Sequence, residues 1–227
     1  MDSKKNKELC LSLMKADTEE EVIQLLRQAG YWDNPAVWRY YGDNENNFST
    51  IGSQQSHPEA ALVEKLVNSV DARLMGKCLE RESDPEGVSA PKTTREAVAR
   101  FFEDNPTIST AGLMREWPDS KRTEISRGIT LAATGAMPSE GKPCLTIADN
   151  GEGQMPRMMP NTFLSLTNKS NKLRIPFVQG KFNMGGTGVL RFCGQHNLEL
   201  ILSRRNPAVV DGNLPHPSDL DWGFTVV

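Results

Sequence analysis

Glu64, Asn68 and Asp71 stand four and then three residues apart in an apolar run that begins at Pro58. On a helix, at ~100° per residue, they fall within an arc of about 60°. Leu66, Val70, Val63, Leu74 and Val67 make the apolar stripe of that helix, and Lys65, Ser69, Ala72 and Arg73 read as its solvent stripe. An acid, an amide and a second acid therefore line the rim of a buried face. That is where a cleft opens, and it is a poor place for idle charges. Pro58 suits the first turn of the helix, and Gly76 is expected to end it or weaken its last turn.

Two glycine segments carry further chemistry. Asp149-Asn150-Gly151-Glu152-Gly153-Gln154-Met155 follows a short apolar strand predicted over residues 143–148. An acid at a strand's end, followed by alternate glycines, lets the backbone turn sharply and a planar ligand come close. Its carboxylate can accept from an amine on that ligand. Alone, the pattern is ordinary turn chemistry. The second segment holds Gly180, Gly185, Gly186, Thr187 and Gly188 and leads into residues 189–193, which can continue as a helix. Free N–H groups at such a start make an anion cradle; the alternative reading is a flexible loop. Between the two, Thr167, Lys169, Ser170 and Lys172 bring hydroxyls and ammonium groups within reach of a phosphate. The Walker phosphate-loop pattern and the three-glycine Rossmann fingerprint are both absent, which excludes those two nucleotide-binding classes.

The elements that must position these residues are legible in outline. Helices are predicted over residues 5–15 and, opened by the capping box Thr18-Glu19-Glu20-Glu21 and stopped by Gly30, over residues 19–28. Tyr31, Trp32, Trp38, Tyr40 and Tyr41 read as a packing collar, and residues 43–56 as a polar loop. Residues 77–92 look like an exposed excursion. A helix is expected over residues 94–103, with Ala97, Val98, Phe101 and Phe102 on one side, and one or two more over residues 111–134, interrupted by Trp117-Pro118. Residues 222–227 read as a core strand, and a chain stopping there is expected to be a fragment of a longer protein.

The composition sets broad limits. A chain of 227 residues, 37% of them apolar, suits one domain, or one with an appendage. A formal charge of −3 supplies no global field for nucleic acid. Cys10, Cys78, Cys144 and Cys193 are scattered and have no paired spacing with His57, His196 or His216, which argues against a zinc site or a disulfide framework. No signal peptide or membrane span is legible, so a soluble cytoplasmic protein with no membrane partner is expected.

Taken in order, these stretches resemble the GHKL ATPases, the family of gyrase, the ninety-kilodalton heat-shock chaperone, MutL and the histidine kinases. Glu64-x-x-x-Asn68-x-x-Asp71-Ala72 is similar to that family's N-box, and Asp149-x-Gly151-x-Gly153 with Met155 to its first glycine motif. Thr167-Asn168-Lys169-Ser170 resembles the lid run, residues 180–188 the second glycine motif, and residues 223–227 the strand that sets a threonine beside the adenine. Each motif is weak alone, whereas four in the right order over residues 54–227 are specific. The second glycine motif admits two registers across Asn183-Met184-Gly185-Gly186-Thr187-Gly188.

The resemblance implies an α+β two-layer sandwich of Bergerat type. Its mixed, mostly antiparallel sheet would carry helices on one face, with an N-terminal helical extension over residues 1–53 and an insertion at about 77–142. It implies ATP and Mg²⁺ as cofactors, with Glu64 as general base on water, Asn68 as the metal ligand, and Asp149 and Thr225 at the adenine. Gly153 would give the base room, and Asp71 would support the polar network. Thr167, Lys169, Gly185, Gly186, Thr187 and Gly188 would meet the phosphates under a lid over residues 161–188. A glutamate at position 64, where the family's histidine kinases carry asparagine, favours slow hydrolysis that drives lid closure or homodimerisation on ATP binding. The alternatives are a nucleotide-sensing interaction module and a kinase of the histidine-kinase class. Whether the client is a protein or a nucleic acid stays open.

Overall fold

The helix bearing Glu64 spans Pro58–Glu80 and is α3 in a chain whose order is α1 (Ser3–Leu13), α2 (Glu19–Gln28), α3, α4 (Thr94–Phe102), α5 (Asp119–Ser126), β1 (Ile129–Thr134), β2 (Cys144–Asp149), β3 (Leu200–Ser203) and β4 (Gly223–Val226). The structure, a computed structural model, describes residues 3–47, 49, 51, 56–104, 107, 109–135, 144–165, 171–180, 185–209 and 216–227. Tight 3-10 turns intervene at Pro156–Asn161 and Gly185–Phe192. None of the helices among the described residues is long and apolar enough to cross a membrane.

Local sequence accounts for several element ends. Thr18 Oγ1 accepts from the Glu21 amide at 3.2 Å, and Gly30, at φ +77°, closes α2 in the left-handed conformation. Thr93 caps α4 in the same way, accepting from the Glu96 amide at 3.1 Å. Two expectations change. Helix α3 continues through Gly76 to Glu80, because Gly76 is buried against the first glycine turn, where a Cβ would lie 3.1 Å from Glu152 N. That packing offsets the ~1 kcal/mol that glycine costs a helix interior. Residues 129–134, expected to be helical, form β1 instead and pair along their whole length with β2. Tertiary pairing thus overrides a helical reading of a short ambiguous run.

Both pairings are antiparallel. Ile129 lies opposite Asp149 and Thr134 opposite Cys144; Leu200 lies opposite Val226 and Ser203 opposite Gly223. Where one mixed sheet was expected, the described residues give two two-stranded sheets, β1–β2 and β3–β4. The architecture is α+β.

Each sheet is associated with helices. The stripe of α3 read as solvent-facing is turned inward, toward the turn after β2 and the end of α5: Ser69 is buried, Ala72 O accepts from Glu152 N at 2.9 Å, and Arg73 Nη1 donates to Ile125 O at 2.6 Å. Ser69, Ala72 and Gly76 are small enough for this close approach, whereas Val63, assigned to the apolar stripe, is 56% exposed. The other side of α3 supplies Leu74, Met75 and Cys78 to a core completed by Val98 and Phe101 of α4, Trp117 and Phe177. Cys78 and Ala90, within residues 77–92 that read as an exposed excursion, are buried in this core. Against β3–β4, Leu13, Val22 and Leu26 of α1 and α2 pack on Leu200, Leu202, Phe224 and Val226. The collar joins this second cluster through Tyr31 and Trp32, and Trp38 meets Trp32 edge-on at 5.6 Å.

Candidate functional site

Along the rim of α3, Glu64 is exposed, Asn68 half-buried and Asp71 buried. Depth thus increases along one stripe, from a carboxylate in water to a carboxylate in the interior. Asp71 does not stand unpaired there. Its Oδ1 and Oδ2 accept from the Gln179 amide at 3.0 and 2.9 Å, and Oδ2 accepts from the Gly180 amide at 2.7 Å. These are charge-assisted bonds to backbone donors, the strong kind for a buried carboxylate. They join the helix to the start of the second glycine segment, 108 residues further along the chain. Gly180 sits so close that a Cβ would lie 2.8 Å from Asn68 Oδ1 and 3.3 Å from Asp71 Oδ2.

The first glycine turn is seated on the same helix. Asp149 ends β2, is exposed, and folds the turn by accepting from the Gly151 amide on Oδ1 at 3.0 Å, which leaves acceptor capacity on its other oxygen. Gly151 is buried against α3, with 2.5 Å between a Cβ built there and the Ala72 carbonyl carbon. Gly153 has φ +61°, and a Cβ would stand 1.8 Å from Arg204 O. Both glycines are thus required by packing within the protein. Arg205 reinforces the turn, donating from Nη1 to Glu152 Oε2 at 2.9 Å and to Gly153 O at 3.1 Å, while its buried Nε has no partner among the described residues. Asn206 closes the cluster: its amide donates to Glu152 O at 2.9 Å and its side chain to Glu80 Oε1 at 3.2 Å. Burial lowers the pKa of Arg73 beside this turn, and the charges of Asp149 and Glu80 partly restore it. Met155 is half-buried, with its sulfur 3.6 Å from Arg157 Nη2.

Gly185, Gly186, Thr187 and Gly188 form the first half of the turn Gly185–Phe192, which packs on α3; Thr187 and Gly188 are buried. Lys65, one residue after Glu64, pairs beside this turn with Glu199, both side chains being about four-fifths withdrawn from solvent (20% and 18% exposed). Glu199 also acts on its surroundings. Burial, with the Glu199 charge added to it, raises the Tyr41 phenol and pushes the Cys193 thiol up to about 11. Beyond the turn, the buried Glu19 accepts from the amides of Gln195, His196 and Leu198 at 2.8, 3.0 and 3.3 Å. The turn's exit is thereby fastened to α2.

Thr225 lies on β4 opposite Ile201, in a strand whose Gly223 abuts Pro156 and Met159, just past the first glycine turn. Thr167 and Lys169 lie outside the described residues, as do residues 181–184 and so part of the expected lid. The structure therefore brings Glu64, Asn68, Asp71, Gly151 and the turn beginning at Gly185 onto one helix, with Asp149 and Gly153 in the turn seated on it. It shows no direct contact from Thr225 to Asp149. Sequence reasoning missed Lys65, Glu152, Glu199, Arg205 and Glu19. For Lys65 a signal existed: its wheel neighbours Ser69, Ala72 and Gly76 are all small, which marks a packed face. Glu19 looked like an ordinary first-turn acid.

Among the described residues no group of His, Cys, Asp or Glu is placed to hold a metal by itself. An Mg²⁺ here would draw on oxygen donors such as Asn68 Oδ1 together with water and phosphate oxygens, a set that suits that ion. Open cavities of ≈450 Å³ beside Trp117 and Lys121 and of ≈320 Å³ between α1 and α2 lie away from this helix rim. No family model, no curated protein and no solved structure matches the chain.

Proposed function

We propose that the chain binds ATP with Mg²⁺ along the rim of α3 and hydrolyses it slowly, as a Bergerat-type ATPase domain. One observation carries this reading: motifs far apart in sequence meet on one helix. Asp71 holds the Gln179 and Gly180 amides, Asn68 Oδ1 stands beside Gly180, and Gly151 lies on Ala72. Unrelated turn glycines have no reason to converge on the same four helical turns. The donor set fits the ligand, since an amide oxygen suits a hard cation and the Gly185–Phe192 turn offers backbone N–H groups to phosphates.

In this reading each side chain has a separate task. Asn68 orients the metal, which neutralises phosphate charge when bound. Glu64, exposed and without an ion-pair partner among the described residues, is free to take a proton from water. Asp149, with one oxygen committed to the Gly151 amide, uses its remaining capacity to accept from the adenine amine. Asp71 keeps the second glycine segment in register with Asn68. Thr225, Met155, Thr167 and Lys169 complete the base and phosphate contacts, and lid closure or homodimerisation follows the nucleotide.

The test is calorimetric titration with Mg-ATP, followed by turnover of Glu64→Ala. We expect wild-type binding, with hydrolysis in the variant reduced about 10²–10⁴-fold, the usual contribution of a general base, and ATP affinity unchanged. Binding without turnover in the wild type would favour a nucleotide-sensing module, and no binding at millimolar Mg-ATP would end the proposal.

A further inference from the structure

The glycines around α3 differ in why they are glycine. At Gly151, Gly153 and Gly180 a Cβ would lie 2.5, 1.8 and 2.8 Å from protein atoms, so packing alone demands the missing side chain. Gly186 is different. Its φ is not positive, and among the described residues the nearest atom to a built Cβ is Lys65 Nζ, at 3.9 Å. Among the described residues, neither backbone conformation nor packing calls for a glycine there. What its small size leaves is space over the turn, bordered by an ammonium group.

That ammonium is held in reserve. Lys65 pairs with Glu199, and the pair is mostly withdrawn from solvent. Lys65 also lies on α3 between Glu64 and Asn68, so its position is set by the helix that carries both. A compact charge on a flexible four-carbon stem can exchange one oxyanion for another with little movement of the backbone. The Glu199 backbone is fixed as well, its amide donating to Val227 O at 2.8 Å and its carbonyl accepting from the Val227 amide at 2.9 Å. Exchange therefore rests with the side chains, and the longer lysine stem has the greater reach.

We propose that Lys65 is a phosphate-binding residue of the nucleotide site: it exchanges Glu199 for a phosphate oxygen seated over Gly186, and so distinguishes nucleotides from nucleosides. This rests on the ATP reading above and adds to it a cation and a selectivity. Because Glu199 competes with phosphate for Lys65, the two residues have opposite effects on affinity. A purely structural ion pair would behave symmetrically, since losing either member would loosen the same contact.

The experiment compares Mg-ATP and adenosine binding by calorimetry for the wild type, Lys65→Ala and Glu199→Gln. Lys65→Ala is expected to weaken ATP binding about tenfold, the size of one charge-assisted hydrogen bond, and to leave adenosine unaffected. Glu199→Gln is expected to tighten ATP binding by freeing the ammonium. Loss of ATP affinity in both variants, or equal loss for ATP and adenosine, overturns the proposal. Unchanged ATP affinity in Lys65→Ala overturns it too, while leaving the ATP reading intact. A wild type that binds neither ligand removes both. If Lys65→Ala does not fold, the sign of the Glu199→Gln effect decides.

Discussion

Asp71 shows how one side chain can hold together two segments that lie far apart in sequence. Its carboxylate is buried, and its oxygens are taken by the Gln179 and Gly180 amides. Asp71→Ala removes the acceptor from both donors and is expected to cost about 2–3 kcal/mol. Asp71→Asn, which keeps one oxygen and loses the charge, should fall between the two. Urea unfolding midpoints measure both, and equal stability of all three proteins would refute the role. The stripe of Glu64, Asn68 and Asp71 was visible in the sequence because helical geometry follows from spacing. The partner of Asp71 was not, since a contact across 108 residues leaves no periodic trace. Cys193 is a smaller case. Its thiol, raised to about 11 chiefly by burial, is protonated near neutral pH and correspondingly unreactive.

Among the elements, α3 and the turn after β2 define one another. Gly76 and Ala72 on the helix and Gly151 on the turn meet closely, a Cβ at Gly151 falling 2.5 Å from Ala72 C and one at Gly76 falling 3.1 Å from the turn backbone. Gly151→Ala is expected to destabilise the protein by about 1–3 kcal/mol or more, because backbone rather than a flexible side-chain end must yield. Gly76→Ala should cost less, since its contacts at 3.1 Å are less severe and alanine favours the helix. Thermal unfolding of the two variants tests the order, and a milder effect at Gly151 would contradict it. This junction explains why the wheel of α3 misled. Its small and charged residues resembled a solvent face, whereas smallness there serves close contact with β2 and the charges of Lys65 and Arg73 are each paired or stacked. Hydropathy cannot separate a small residue that faces water from one that faces a backbone.

At the scale of the whole molecule, the N-terminal helices form a common apolar cluster with the second sheet. Leu26 is 2% exposed within it. Leu26→Ala should cost about 2–5 kcal/mol and lower the melting temperature in a single transition; a separate early transition would mean that the N-terminal helices unfold alone. The pH dependence has one identifiable source in the Arg157–Asp219 pair, joined by bonds of 2.6 and 3.1 Å with Asp219 fully buried. Hydrogen bonding to Arg157 holds the Asp219 carboxyl below its ordinary value of 3.8. A depressed folded-state pKa contributes stability that is present above that ordinary value and disappears as pH falls through the folded one. The stability difference between the wild type and Asp219→Asn should therefore be steady near neutrality and shrink in acid, as followed by urea unfolding from pH 6 to pH 2. A difference that grows in acid would contradict the assignment.

Sequence alone determined the features that depend on neighbours within a few residues. These are the cap at Thr18, the stop at Gly30, the strand leading to Asp149, and the single stripe of Glu64, Asn68 and Asp71. Tertiary structure decided what lies opposite each of them. It turned residues 129–134 into a strand by giving β2 a partner, carried α3 through Gly76 by burying it, and placed Lys65 against Glu199 and Gly186. The physical reason is the same throughout. Propensity and capping act over one or two turns of chain, whereas packing contacts and buried charges are settled by residues from ten to well over a hundred positions away.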